Sequence, residues 1–360
     1  MGKKYLITFI VGTRPEAIKL APVILKFKED NNFKVKIIST GQHNDLINSI
    51  FEIFDLEFDI NLNILKSGQS LASITSKALN GLDEEFKIDK PDMVIVQGDT
   101  TSSMVGALAA FYHKLEVAHI EAGLRTDDRF NPFPEEINRR IITQLSKFHF
   151  APTLKSKENL LNSNVMGDVF VTGNTVIDAL FYALKKNKNS VKDEFKLNGY
   201  KLILTTVHRR ENWGENLEDI AYGLKDILEE FNKVKIVIPL HPNVLVRDKL
   251  YEILGKNDRA LLIEPLPYNK FIDVMNLAKF VITDSGGLQE EAPSLGKPVL
   301  IIRETTERPE AIEAGTAKLI GSKRNKIFVG PKKLRPVVEM LNVDKFVEVP
   351  IIDAFSSYDS

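Results

Sequence analysis

Ser285-Gly286-Gly287-Leu288-Gln289-Glu290-Glu291-Ala292 sets a hydroxyl, two glycines and two carboxylates side by side. The run before it, Phe280-Val281-Ile282-Thr283-Asp284, is apolar and reads as a buried parallel strand. The run after it, Leu288 to Leu295, reads as a short helix. Consecutive glycines let backbone N–H groups approach a ligand closely, and a helix N-terminus adds a positive dipole end. Such a turn suits a phosphate or diphosphate. Glu291 falls about one helical turn further on, where a carboxylate can accept hydrogen bonds from a ribose. Ser-Gly-Gly alone fits an ordinary strand-to-helix turn equally well.

The same placement recurs along the chain. Tyr5 to Val11 is a β-branched apolar run that ends in Gly12-Thr13-Arg14-Pro15-Glu16-Ala17-Ile18-Lys19, with Thr13 as N-cap and Pro15 in the first helical turn. His43 follows Lys34 to Thr40, Asp99 follows Met93 to Gln97, and Glu121 follows Glu116 to Ile120. His208 follows Lys201 to Val207, His241 follows Val234 to Pro239, and Arg308 follows Pro298 to Ile302. Ligands of open α/β sheets bind at that edge, and chance would scatter such residues to both edges. Glu135 and Glu136 open a helix after Pro132-Phe133-Pro134, and helix capping accounts for both on their own. His113, His119 and His149 lie in or beside apolar runs and read as packing residues.

Composition narrows the chemistry. The chain has 360 residues, 43% hydrophobic and 27% charged, with net charge −1 and no cysteine. That length supports two domains with cores of their own. A near-neutral charge implies no polyanion-binding surface, so nucleic acid is not an expected partner. Lack of cysteine removes disulfides, thiolate nucleophiles and cysteine zinc sites. There is no HxxxH pair, no GxSxG elbow, and no GxGxxG after the first strand, so neither a metal nor a nicotinamide is expected. No apolar run reaches membrane-spanning length, and a cytoplasmic protein is the expectation.

Strand and helix alternate with short links on either side of a Lys- and Asn-rich stretch, Leu184 to Tyr200, which reads as a linker. That pattern predicts an α/β fold of two Rossmann-like, doubly wound domains facing across a cleft. The expected domains are 1–172, carrying the carboxylates, and 173–360, binding the phosphate, with the C-terminal segment packing back on the first domain.

Nine motifs in order then carry a resemblance. They are GTRPEAIK (12–19), GQH (41–43), QGDT (97–100), HIEAGLR (119–125), PFPEEINR (132–139), TVHRREN (206–212), HPN (241–243), SGGLQEEAPSLGKP (285–298) and TTERPEA (305–311). The chain resembles the non-hydrolysing UDP-N-acetylglucosamine 2-epimerases over roughly residues 5 to 321. The resemblance implies the glycosyltransferase-B architecture, a homodimer, and no cofactor. It implies UDP on the second domain, with Ser285, Gly286 and Gly287 at the diphosphate, Glu291 at the ribose, Leu266 and Phe271 bordering the uracil, and Arg308 and Arg14 approaching from loops. It implies catalytic roles for Lys19, Asp99, Glu121, Glu135 and His208. It also implies an activator site drawing on Gln42, His43, Arg209, Glu211 and His241, although Gly68 stands where some members carry an arginine. The family's closing Asn-Pro-(Tyr/Phe)-Gly loop is missing from 322–360.

The implied reaction interconverts UDP-N-acetylglucosamine and UDP-N-acetylmannosamine. C2 carries a hydrogen not adjacent to a carbonyl, so the C1–O bond must break as the proton leaves. UDP departs, a 2-acetamidoglucal remains, and re-protonation from the other face precedes return of UDP. Such a site needs cations for the diphosphate and carboxylates for proton removal and delivery. Three other readings stay open. A hydrolysing epimerase would release free sugar, a glycosyltransferase would need an acceptor, and a binding module would need no such carboxylates.

Overall fold

The computed structural model describes residues 4–41, 44–64, 68–186, 191–306 and 309–333. Among them the chain divides into two compact units inside the helix Val176–Lys186, between Tyr182 and Ala183. The sequence places that junction ahead of Gly173.

The first unit holds seven strands: β1 (Tyr5–Val11), β2 (Phe33–Ser39), β3 (Ile60–Asn61), β4 (Met93–Gln97), β5 (Glu116–Ile120), β6 (Phe148–Ala151) and β7 (Asp168–Val171). They pair in the order β3-β2-β1-β4-β5-β6-β7, every pair parallel. A parallel sheet covered by helices on both faces needs apolar side chains on both faces of its strands. The sequences YLITFIV of β1 and MVIVQ of β4 meet that demand, and nearly every residue in them is buried. Phe9, Phe27 and Phe33 pack edge to face, at 5.7 and 4.9 Å between ring centroids, and fix the helix Arg14–Glu29 against the sheet.

The second unit holds β8 (Lys201–Thr206), β9 (Val234–Pro239), β10 (Ala260–Ile263), β11 (Ala278–Thr283), β12 (Val299–Ile301) and β13 (Ala317–Leu319). Their order is β10-β9-β8-β11-β12-β13, again all parallel. Its core lies between the sheet and the helix Glu215–Glu230, which buries Leu217, Ile220, Leu224, Ile227 and Leu228.

Both sheets reverse strand order beside their first strand. The reversal opens a crevice at the carboxyl ends of β1 and β4 in one unit and of β8 and β11 in the other. Arg14 and Asp99 follow the first pair, and His208 and Ser285 follow the second. Of the residues that the sequence places past strand ends, Arg14, Asp99, His208 and Ser285 therefore stand at the topological switch points, whereas Glu121 follows β5 and His241 follows β9.

One local expectation is corrected, and one turn is defined in detail. The described part of the linker-like stretch is packed, because Val191, Phe195 and Leu197 are buried and the Lys235 ammonium donates to the Phe195 and Lys196 carbonyls at 3.1 and 2.9 Å. Lys235 also lies 4.8 Å from the Tyr200 ring centroid. Gly287 has helical φ and ψ of −61° and −39°, and a Cβ there would meet only Glu291 Oε1, at 3.4 Å. It leaves open space at the turn and uses no left-handed conformation.

Gly123 does need to be glycine. Its φ is +90°, and a Cβ would lie 2.2 Å from the Ser156 carbonyl oxygen. Gly214 has φ +75° with nothing within 4 Å of a Cβ. Gly123→Ala should therefore cost about 3 kcal/mol through backbone strain plus overlap, and Gly214→Ala about 1 kcal/mol through strain alone. Urea unfolding of the two variants checks this, and equal losses would contradict it.

Candidate active site

Glu121 is the first residue past β5 and sits in the left-handed region, with φ 62°. That backbone is uncommon for a residue other than glycine, and here it turns the carboxylate inward. Lys19 Nζ donates to both Glu121 oxygens at 2.6 Å. Gln97 Nε2 donates to Oε2 at 2.5 Å and Asn174 Nδ2 to Oε1 at 3.2 Å. Glu121 is only 7% exposed, so this donor set takes the place of water around a carboxylate anion.

Asp99 lies in the turn after β4. Arg139 Nε is 2.9 Å from its Oδ2, and Asn138 Nδ2 donates to its carbonyl at 2.9 Å. Burial pushes the Asp99 carboxyl up to about 6, which the Arg139 charge opposes and the nearby Glu121 reinforces. Lys19 and Glu135 act on the same carboxyl electrostatically, so the structure gathers Lys19, Asp99, Glu121 and Glu135 into one cluster. Arg139 belongs to it as well and was not singled out from sequence.

Glu135 and Glu136 stand in the first turn of the helix Glu135–Leu145, where the dipole favours them, and the N-cap residue Pro134 makes no side-chain cap bond. Glu136 is fully buried, accepts from Thr126 N at 3.1 Å and Arg140 Nε at 2.8 Å, and pairs with Arg139 at 3.2 Å. Glu135 is half-buried beside Asp99. His119 is a core residue, as expected. Its Nε2 donates to the Gly98 carbonyl at 2.7 Å, and burial pushes the ring down to about 3, so it stays neutral.

Glu16 also escaped the sequence reading. It is buried and accepts from Gly12 N at 3.1 Å, Thr100 Oγ1 at 2.7 Å and Ser103 Oγ at 2.6 Å. Burial raises its carboxyl above the ordinary range. It ties the turn after β1 to the turn after β4. Thr13 holds the N-cap position, yet its side chain makes no cap bond, and Glu16 bonds the backbone there instead. A glutamate three residues after a threonine is the capping-box pattern, which was the available signal.

In the second unit Asp284 ends the β11 run and is completely buried. His208 Nδ1 is 2.7 Å from its Oδ1, and Arg209 N and Asn212 Nδ2 donate to its Oδ2, each at 2.9 Å. Ser285 N donates to Thr283 Oγ1 at 2.9 Å, so the strand's last threonine shapes the turn. Glu291, Leu266 and Phe271 are half-buried, Phe271 on the helix Tyr268–Leu277. Arg14 is half-buried at the start of its helix in the first unit.

Of the expected activator residues, Glu211 pairs with Arg303 at 2.8 Å, and His241 Nδ1 accepts from Asn243 N at 3.1 Å beside the Trp213 ring. Gln42, His43 and Arg308 lie outside the described residues. Among the described residues no group of three or more acidic or histidine side chains is placed to hold a metal ion, and no helix is long and apolar enough to cross a membrane.

Comparison with known proteins identifies the family and the fold. The family model described as UDP-N-acetylglucosamine 2-epimerase matches residues 25–344. The UDP-N-acetylglucosamine 2-epimerase of Bacillus subtilis is 47% identical over 334 residues, 92% of this chain and 87% of the relative. The crystal structure of UDP-GlcNAc 2-epimerase from Neisseria meningitidis bound to UDP-GlcNAc is similar at TM-score 0.85 and 42% identity, covering 98% of this chain and 100% of that one. The glycotransferase of kitacinnamycin, at 11% identity and TM-score 0.61, shares the fold alone. The expected α/β fold of two Rossmann-like domains, the glycosyltransferase-B class, is thus the fold found.

The Asp99 environment has a consequence for stability. A carboxyl whose folded value is raised from 3.8 to about 6 holds its proton longer in the folded state. Stability is then unaffected below the unfolded value and is lost as pH rises from about 4 to about 6. Asp99→Asn removes that titration. The variant's melting temperature should gain on wild type between pH 4 and pH 8, and a difference that does not change with pH would contradict the raised value.

Proposed function

Since the chain belongs to the UDP-N-acetylglucosamine 2-epimerase family, we propose that it inverts C2 of UDP-N-acetylglucosamine by eliminating UDP and adding it back, without net hydrolysis. The observation that carries this reading is the pairing of unlike carboxylates. Burial pushes the Asp99 carboxyl up to about 6, while Glu121 is held by Lys19, Gln97 and Asn174. Groups of one kind whose environments push their proton affinities apart are the means by which one site both takes and gives protons.

In the forward step a carboxylate removes the C2 proton. The C2–H electron pair forms the C1=C2 bond, and the C1–O pair leaves with UDP. In the return step a carboxylic acid protonates the opposite face of C2, and a UDP oxygen attacks C1. Asp99 suits the group that changes protonation state, because its value lies near neutral pH. Glu135, half-buried on the neighbouring helix, is the second candidate. Glu121, held by Lys19, suits stabilisation of positive charge developing at C1. UDP is assigned to the Ser285–Gly287 turn with Glu291 at the ribose, Leu266 and Phe271 at the base, and Arg14, Arg308 and His208 meeting the diphosphate charge. UDP-N-acetylglucosamine and its C2 epimer UDP-N-acetylmannosamine are the expected ligands, and the working form is assigned as a homodimer in the cytoplasm supplying cell-surface polysaccharide synthesis. Gln42, His43, Arg209, Glu211 and His241 remain the candidates for an activator site.

The elimination has a direct isotopic signature. Wild-type protein turning over UDP-N-acetylglucosamine in heavy water should place deuterium at C2 of a product still joined to UDP. Asp99→Asn, Glu121→Gln and Glu135→Gln should each lower turnover by about 10²–10⁴-fold with a smaller effect on UDP binding. Epimerisation without C2 deuterium would sink the mechanism, and release of free sugar with UDP would select the hydrolysing reaction.

UDP binding is tested separately. A charge-assisted hydrogen bond contributes roughly 1.5–3 kcal/mol, so Glu291→Ala and Arg308→Ala should each weaken UDP by about ten- to a hundred-fold. Unchanged affinity in calorimetry for both would remove this assignment.

A further inference from the structure

Asp284 divides its two oxygens between two tasks. Oδ2 accepts from His208 N at 3.0 Å, Arg209 N at 2.9 Å and Asn212 Nδ2 at 2.9 Å, and so latches the loop after β8 onto the end of β11. Asn212 Nδ2 reaches the Ile302 carbonyl as well, at 3.2 Å, which extends the latch to the end of β12. Oδ1 faces the His208 ring, 2.7 Å from Nδ1, and among the described residues is otherwise reached by the His208 backbone N–H alone, at 3.2 Å.

An ionised carboxylate can only accept hydrogen bonds, so Nδ1 must carry the ring proton. Nε2 is then the ring atom left to take up a proton, and once protonated it can donate to an anion. The His208 side chain is 43% exposed whereas Asp284 is completely buried, so the ring is anchored at one nitrogen and open at the other. Burial works to raise the Asp284 carboxyl, but the bonds from His208, Arg209 and Asn212 outweigh it and hold it below the ordinary range. The carboxylate therefore stays an anion at neutral pH.

We propose that Asp284 is a positioning residue that fixes His208 in the Nδ1-protonated tautomer and so presents Nε2 to the departing and returning diphosphate. This rests on the epimerase reading for the step that His208 serves. A backbone latch alone would need only Oδ2. Asp284 also adjoins Ser285, so one buried side chain sets both the histidine and the start of the turn assigned to the diphosphate.

The test begins with the ring. In protein carrying ¹⁵N-histidine, the His208 signal among six histidines is identified by its loss in His208→Gln. Neutral His208 in wild type should show a protonated Nδ1 and a bare Nε2, and an Nε2-protonated ring would overturn the proposal without any Asp284 variant. Asp284→Asn keeps the shape but can offer an N–H to Nδ1. It should shift the neutral ring toward the other tautomer and lower kcat by about 10²–10⁴-fold. In a His208→Gln background the same change should cost less than about threefold, because its effect passes through the ring. An equal loss in both backgrounds would reduce Asp284 to the backbone latch and overturn the proposal. The tautomer is read without turnover, so a wild type that fails to epimerise would count against the function and leave the Asp284–His208 link standing.

Discussion

The bond between Lys19 and Glu121 is the constraint on which the first unit's site depends. Two opposite charges are withdrawn from water, and a buried charge without a partner costs several kcal/mol. Glu121 meets that demand by collecting donors from the helix after β1, the end of β4 and the segment after β7. One carboxylate thereby joins three pieces of backbone, and the left-handed turn at its own Cα follows from aiming it at them. Burial is what raises Asp99, and within the pair the Glu121 charge adds to that while the Lys19 charge opposes it.

The second unit uses the same device with different groups. Its topology repeats that of the first, and the carboxylate at its switch point, Asp284, also ends a central strand and accepts from a neighbouring loop. Here the partner is an imidazole, so the anchored group is open at its far nitrogen. In both units the acid directly follows a strand; its partner comes from a helix in the first unit and from the loop after β8 in the second. A site built this way holds its charged groups still before any ligand arrives, which is the condition for electrostatic catalysis.

The strands were legible in the sequence because a sheet buried on both faces leaves continuous apolar runs, and β1, β4, β8 and β11 are such runs. The edge that carries the chemistry was legible too, since polar residues follow these runs directly. The partners were not. Lys19 lies 102 residues from Glu121, Gln97 24 residues from it, and Asp284 76 from His208, and only strand order brings them together. Glu16 and Asp284 were passed over because each sits at the end of a regular element, where a helix's first turn or a strand's last residue explains it without chemistry. The Gly286-Gly287 pair was legible in part. Two glycines were read as room for close approach of the backbone, but they do not disclose that Gly287 is helical, with Glu291 Oε1 3.4 Å from where its Cβ would stand.

The account turns on Asp99 being the carboxylate that changes protonation state near neutral pH. The most direct measurement is the ¹³Cγ chemical shift of Asp99 followed against pH in protein labelled at aspartate, with the signal identified by its loss in Asp99→Asn. The account predicts a midpoint of about 6. A midpoint near the ordinary aspartate value of 3.8 would contradict it, because Asp99 would then be a fixed anion beside Arg139 with no proton to deliver.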